Sequence, residues 1–156
     1  MNRTLRLTVL LSVAAIVSTP AAAAPDAAGC RPTAQDGFGP FGRGEPPRRA
    51  KIGTGHVLIG VVLSSADCRP IPRARVNLWQ SNRDGVYTTA GSATVITDRA
   101  GRFRFEGPYP PQYEGLPPHI HLRVFAPLHQ PLLTRFVPRP GERVGHVRLV
   151  LAPEDV

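Results

Sequence analysis

Proline and glycine interrupt this chain so often that, beyond its first 24 residues, no stretch of ten or more keeps a helical period unbroken. With 18 prolines and 15 glycines in 156 residues, what remains between the breaks is a set of short apolar or alternating runs. Such runs bounded by turn residues read as strands. His56 to Leu63 is the first, Arg75 to Gln80 alternates apolar and polar side chains, and Thr88 to Thr97 follows. After the turn Asp98-Arg99-Ala100-Gly101 come Arg102 to Phe105, His119 to Phe125, Leu132 to Val137 and Val144 to Leu151. Strands of this length and spacing imply an all-β chain folded as an antiparallel β-sandwich, with no internal repeat.

The N-terminus reads as a leader. Arg3 and Arg6 form a basic start, Val9 to Val17 is apolar except for Ser12, and Ala21-Ala22-Ala23 offers a small-residue cleavage site. The apolar stretch is about half the ~20 residues that span a bilayer, and no later segment comes closer. The expectation is residues 1–24 as a signal peptide, export to a periplasmic or extracellular space, and no membrane role after cleavage. Residues 25–55, rich in Gly and Pro, form an irregular arm, and 56–156 a single domain. Two cysteines, Cys30 and Cys68, permit one intramolecular pairing, and in an exported chain that favours a disulfide tying the arm to the body.

The formal charge is +8 and falls to +6 when Arg3 and Arg6 leave with the leader. Lys51 is the only lysine, and the arginines are scattered among strands and turns with no basic run or aromatic interleaving. They read as solvated strand faces, and nucleic acid is not an expected partner.

The chemistry concentrates in Pro117-Pro118-His119-Ile120-His121. Entering a strand, His119 and His121 share one face because side chains there alternate with period two. Imidazole is a common metal ligand. The three tyrosines, Tyr87, Tyr109 and Tyr113, lie upstream, the last two in a stiff Pro-rich linker that could return a phenol to the same face. A phenol with pKa near 10 must lose its proton to bind a metal, which a trivalent ion favours. Two His with two Tyr therefore point to iron(III), whereas zinc sites use His, Cys or carboxylate.

Several segments, taken in order, resemble the intradiol ring-cleavage dioxygenases of the catechol and protocatechuate 3,4-dioxygenase type. They are Cys30-Arg31-Pro32-Thr33 with Gly39-Pro40-Phe41, Gly60-Val61-Val62 through Cys68 to Trp79-Gln80, and Asp84-Gly85-Val86-Tyr87. Thr97-Asp98-Arg99-Ala100-Gly101-Arg102-Phe103-Arg104-Phe105 and the His119–His121 motif complete the series, which covers about Cys30 to Leu151. The resemblance implies a β-sandwich holding one non-haem Fe(3+) through Tyr87, a second tyrosine, His119 and His121. The family places that tyrosine eight residues beyond the last Phe of the F-x-F turn, which is Tyr113. Tyr109 and Trp79 then become candidate pocket residues.

The same resemblance implies a small aromatic diol and O2 as reactants, ring cleavage to a muconate-type diacid, Tyr113 as the ligand that takes a substrate proton, and no organic cofactor. A homo-oligomer is compatible with it, as is a non-catalytic binding module that keeps the site. Two positions depart from the family pattern. Leu116 stands where the family usually has Arg, and Leu133-Thr134-Arg135 replaces a T-Q step, so Arg135 is a candidate to restore the missing cation. His56 and His146 read as sheet residues and His129 as an exposed loop residue.

Overall fold

The computed structural model describes residues 30–36 and 44–154. The leader and Gly39-Pro40-Phe41 lie outside the described residues. Seven strands follow in order: β1 (His56–Ser64), β2 (Arg75–Ser81), β3 (Tyr87–Ile96), β4 (Arg102–Gly107), β5 (Ile120–Phe125), β6 (Leu132–Phe136) and β7 (Val144–Leu151). They form a three-stranded sheet ordered β4-β1-β7 and a four-stranded sheet ordered β3-β2-β5-β6. Every expected strand is present, with ends displaced by at most two residues.

The period-two pattern decides what lies between the sheets. Leu58 and Val62 of β1, Val76 and Leu78 of β2, Phe103 and Phe105 of β4, and Ile120, Leu122 and Val124 of β5 are all buried in one core. Gly60 is glycine for a steric reason, since a Cβ there would lie 2.2 Å from the Phe103 ring.

One pair departs from the antiparallel expectation. β1 and β7 run parallel, Val57 opposite Val144 and Ser64 opposite Leu151. Parallel neighbours need a crossover, and here the chain passes through the other sheet before returning. Residue alternation encodes which face a strand buries but not the direction of its neighbour.

The arm closes both open sides of the sandwich. Along one, Thr33 N donates to Val150 O (2.9 Å) on β7, and Asp36 N donates to Leu133 O (2.7 Å) on β6. Along the other, Thr94 N of β3 donates to Pro47 O (2.8 Å) and Glu106 N of β4 to Ala50 O (2.9 Å). Backbone groups that would otherwise line exposed sheet edges are thereby occupied. Cys30 and Cys68 are disulfide-bonded and anchor the first of these straps.

The Thr97-to-Phe105 motif is a structural turn remote from the histidine pair. Asp98 Oδ1 accepts from Ala100 N and Arg102 N (both 2.8 Å), while Thr97 Oγ1 donates to Ile71 O and accepts from Ala74 N (both 2.8 Å). Gly101 has φ +67, and a Cβ there would fall 2.6 Å from Val62 O. His129 is half-buried, not exposed as expected, because its Nε2 meets Ser64 Oγ at 3.0 Å.

His56 is 1% exposed, and among the described residues neither ring nitrogen has a hydrogen-bond partner. Its ring lies 5.9 Å from Tyr109 and 5.7 Å from Phe136. Burial holds its pKa below 6.5, against an opposing pull from Glu142. The unfolded chain therefore takes up this proton where the folded chain does not. That contribution to stability is intact above the unfolded value, declines as pH drops below it, and levels off beneath the folded-state pKa. His56→Leu is expected to flatten the fall in denaturant midpoint between about pH 7 and 5; an unchanged slope would assign the acid sensitivity elsewhere.

Candidate metal centre

The group forms on the outer face of the four-stranded sheet. With Val76 and Leu78 turned into the core, Asn77, Trp79 and Ser81 must point the other way. Register carries that choice across the sheet: Trp79 is opposite His121, and His121 opposite Arg135. Ser81 is opposite Tyr87, the first residue of β3. His119 immediately precedes β5, two residues before His121, and shares its side.

Two loops supply the phenols. Between β2 and β3, Asn82 Oδ1 accepts from Asp84 N and Val86 N (both 2.9 Å), folding the chain back so that it leads into Tyr87. Gly85 in that loop has φ +77, and a Cβ there would sit 3.0 Å from the Tyr113 ring. Tyr113 starts a tight turn in which Glu114 and Gly115 both have positive φ (49 and 75), closed by Leu116 N donating to Tyr113 O (2.8 Å).

Four donor atoms meet there. Nε2 of His119 lies 3.1 Å from Nε2 of His121 and 3.3 Å from each of the two phenol oxygens, Tyr87 Oη and Tyr113 Oη. The phenol oxygens are themselves in hydrogen-bond contact. One ion with bonds of about 2.0–2.1 Å brings its ligand atoms to roughly this spacing. The orientation also suits coordination: His119 Nδ1 donates to Pro117 O (2.7 Å), which leaves the Nε2 lone pair aimed into the group.

Electrostatics favour the same use. His119 and His121 are 2% and 3% exposed. Burial, the neighbouring His119 and Arg135 lower the His121 pKa to about 3, so its ring is neutral. Burial and the hydrogen bond to Tyr113 push the Tyr87 phenol above its ordinary value. Such a phenol keeps its proton until a cation compensates the charge. Among the described residues, no three His, Cys, Asp or Glu gather into a metal-ligating group. A bound ion would therefore depend on the phenols, and a hard, highly charged one fits this donor set.

The other candidates surround the group. Trp79 is buried beside His121 with the Arg123 guanidinium 5.0 Å above its ring. Together with Glu45, Pro46, Tyr87 and Ser92 it lines a cavity of about 120 Å3. Tyr109 does not join the donors. Its hydroxyl donates to Arg139 O (3.0 Å), and it borders a separate cavity of about 740 Å3 with Gln80, Arg83 and Pro118. Arg135 stands opposite His121, with Nε 2.9 Å from Asp36 Oδ2. Leu116, half-buried across the turn from Tyr113, adds no charge.

Three contributors carried no local sequence signal: the Pro117 carbonyl, Asp36, and Arg49, whose guanidinium binds Ser92 O (2.8 Å) and Ala90 O (3.2 Å) and so holds the irregular stretch after Tyr87.

No family model matches the chain. It is 36% identical over 67 residues to a hydroxyquinol 1,2-dioxygenase of Rhodococcus opacus, covering 36% of this chain and 22% of that protein. The corresponding match to hydroxyquinol 1,2-dioxygenase of Corynebacterium glutamicum is 33% over 64 residues, covering 34% and 21%. The chain thus spans about a fifth of the length of these curated relatives.

Among solved structures, the dioxygenase domain of a dioxygenase carbohydrate-binding protein fusion from Streptomyces sp. SirexAA-E superposes with a TM-score of 0.69 at 22% identity, over 80% of this chain and 100% of that one. An intradiol ring-cleavage dioxygenase from Tetranychus urticae gives 0.68 at 18%, over 80% and 96%. A hydroxyquinol 1,2-dioxygenase from Pseudomonas putida DLL-E4 gives 0.64 at 18%, over 79% and 67%. The chain has the fold of these intradiol ring-cleaving dioxygenases.

Tyr113→Phe is expected to weaken retention of a ferric probe at least about tenfold in equilibrium dialysis while barely changing the melting temperature. Tyr109→Phe should leave retention unchanged. Equal losses in the two variants would remove Tyr113 from the donor group.

Proposed function

We propose that this chain is an exported, mononuclear iron(III) intradiol dioxygenase acting on a catechol-type aromatic diol. The observation that carries the reading is the convergence of Tyr87 Oη, Tyr113 Oη, His119 Nε2 and His121 Nε2. These four residues are assigned as the iron ligands. A ferric ion held by these four residues would supply Lewis-acid chemistry, easing deprotonation of the diol and activating its ring toward O2. The overall reaction breaks the C–C bond between the two oxygen-bearing carbons and adds one atom of O2 to each, giving a muconate-type diacid.

The protein's own groups have separable tasks. His119 and His121, both buried, hold a fixed edge of the site at the start of β5, the His121 ring neutral. Tyr113 is carried by a four-residue turn instead of a strand, so of the two phenols it is the one able to swing away and accept a diol proton. Trp79 and the Pro46 segment form the wall on the Tyr87 side. Arg135 provides positive charge opposite His121, in a chain whose Leu116 offers none.

A second reading, a module that holds metal without rapid turnover, is favoured by one observation: Asp36 already occupies the Arg135 guanidinium. Charge stabilisation at a reacting centre is worth orders of magnitude in rate, so a neutralised Arg135 would preserve binding and lose chemistry.

Iron-loaded protein is expected to be wine-red from tyrosinate-to-iron charge transfer and to consume O2 with a catechol. A colourless protein that cannot be loaded would end the enzyme reading, and a red protein inert across substituted catechols would support the module. Arg135→Ala is expected to lower kcat/KM at least about tenfold without bleaching the colour; unchanged turnover would remove Arg135 from the reaction.

A further inference from the structure

We propose that the outer face of the three-stranded sheet, the side remote from the metal centre, docks on an anionic lipid bilayer. β1 is the middle strand of that sheet, and its outward side chains Val57, Ile59 and Val61 form an aliphatic stripe. Register sets basic side chains beside it. Ile59 lies between Arg104 and His146, and Val61 between Arg102 and Arg148. Strands are about 4.8 Å apart, so Ile59 and Val61 each have a basic side chain within a strand's width on both sides, while Val57 lies between Glu106 and Val144.

The stripe is open to solvent: Ile59 is 36% exposed and Val144, beside Val57, 46%. A shallow hollow of about 350 Å3 runs between Ile59, Val61, Arg102, His146 and Arg148. The one acid in these rows, Glu106, is engaged by Lys51 (3.0 Å) and Arg104 (3.1 Å) and leaves the face cationic.

Both halves of this pattern select the occupant. A second copy of the chain would bring arginine rims against each other. A soluble polyanion would satisfy the guanidinium groups and leave the aliphatic stripe wet. A bilayer of anionic lipid offers phosphates to the rim and the upper acyl region to the stripe, with the long arginine stems reaching between the two. The expectation of no membrane role rested on hydrophobic length alone, which is silent about a sheet face.

The test is co-sedimentation of the chain with vesicles of about 30 mol% phosphatidylglycerol in phosphatidylcholine, against phosphatidylcholine alone. Partitioning is expected to be at least about tenfold stronger with the anionic lipid and to weaken with salt. Arg102→Glu should cost about tenfold or more, and Ile59→Ser a few-fold that persists at high salt, each with an unchanged melting curve; Arg102→Gln serves if the reversal unfolds the protein. Arg83→Glu, in the β2–β3 loop away from this face, should bind as wild type. Absence of partitioning, equal loss in Arg83→Glu, or an Arg102-dependent complex with poly-L-glutamate in place of vesicle binding would each overturn the proposal. So would a dimer in solution that Ile59→Ser dissociates.

Discussion

The centre depends on a two-residue alternation along β5. Ile120, Leu122 and Val124 are fully buried against the opposing sheet, and this burial, worth roughly 1.5–3 kcal/mol for each such side chain, holds the strand's phase. A slip of one residue would drive His121 and Arg123 into the core and expose the aliphatics. The placement of two imidazoles on the outer surface is therefore enforced by three hydrophobic residues that never touch them. Pairing spreads the decision to β2 and β6, and so aligns Trp79, His121 and Arg135 in one row.

The phenols arrive by a different physical route. Neither is fixed by core burial; each depends on a turn. Asn82 and Gly85 bend the chain into Tyr87, and the Gly85 position that allows this bend also leaves room for the Tyr113 ring. The site thus combines a rigid strand-borne edge with a loop-borne one. That asymmetry suits the proposed reaction, in which two imidazoles stay fixed and one phenol moves.

Residue alternation and turn chemistry carried much of this. The strands, the core face, the side shared by His119 and His121, and the loop before Tyr87 follow from local patterns. Choosing Tyr113 over Tyr109 needed the family's spacing, because both tyrosines sit in the same Pro-rich linker. What was illegible is long-range. Asp36 reaches Arg135 across 99 positions of chain, and Arg49 finds carbonyls of the segment after Tyr87. Several arginines expected to be solvated instead hold backbone or aromatic rings, as Arg49 and Arg123 do. The parallel pairing of β1 with β7 is invisible for the same reason: it joins the first strand to the last.

The strap from Cys30 to Asp36 links two matters that are usually separate. Its one end is covalently fixed at Cys68, at the far end of β1 from His56, and its other ends in the carboxylate that holds Arg135. The charge beside His121 is consequently set by a segment held both by a disulfide and by the Thr33–Val150 and Asp36–Leu133 backbone hydrogen bonds. Reduction would remove the covalent anchor and leave the hydrogen bonds to β6 and β7 alone to hold Asp36 against Arg135.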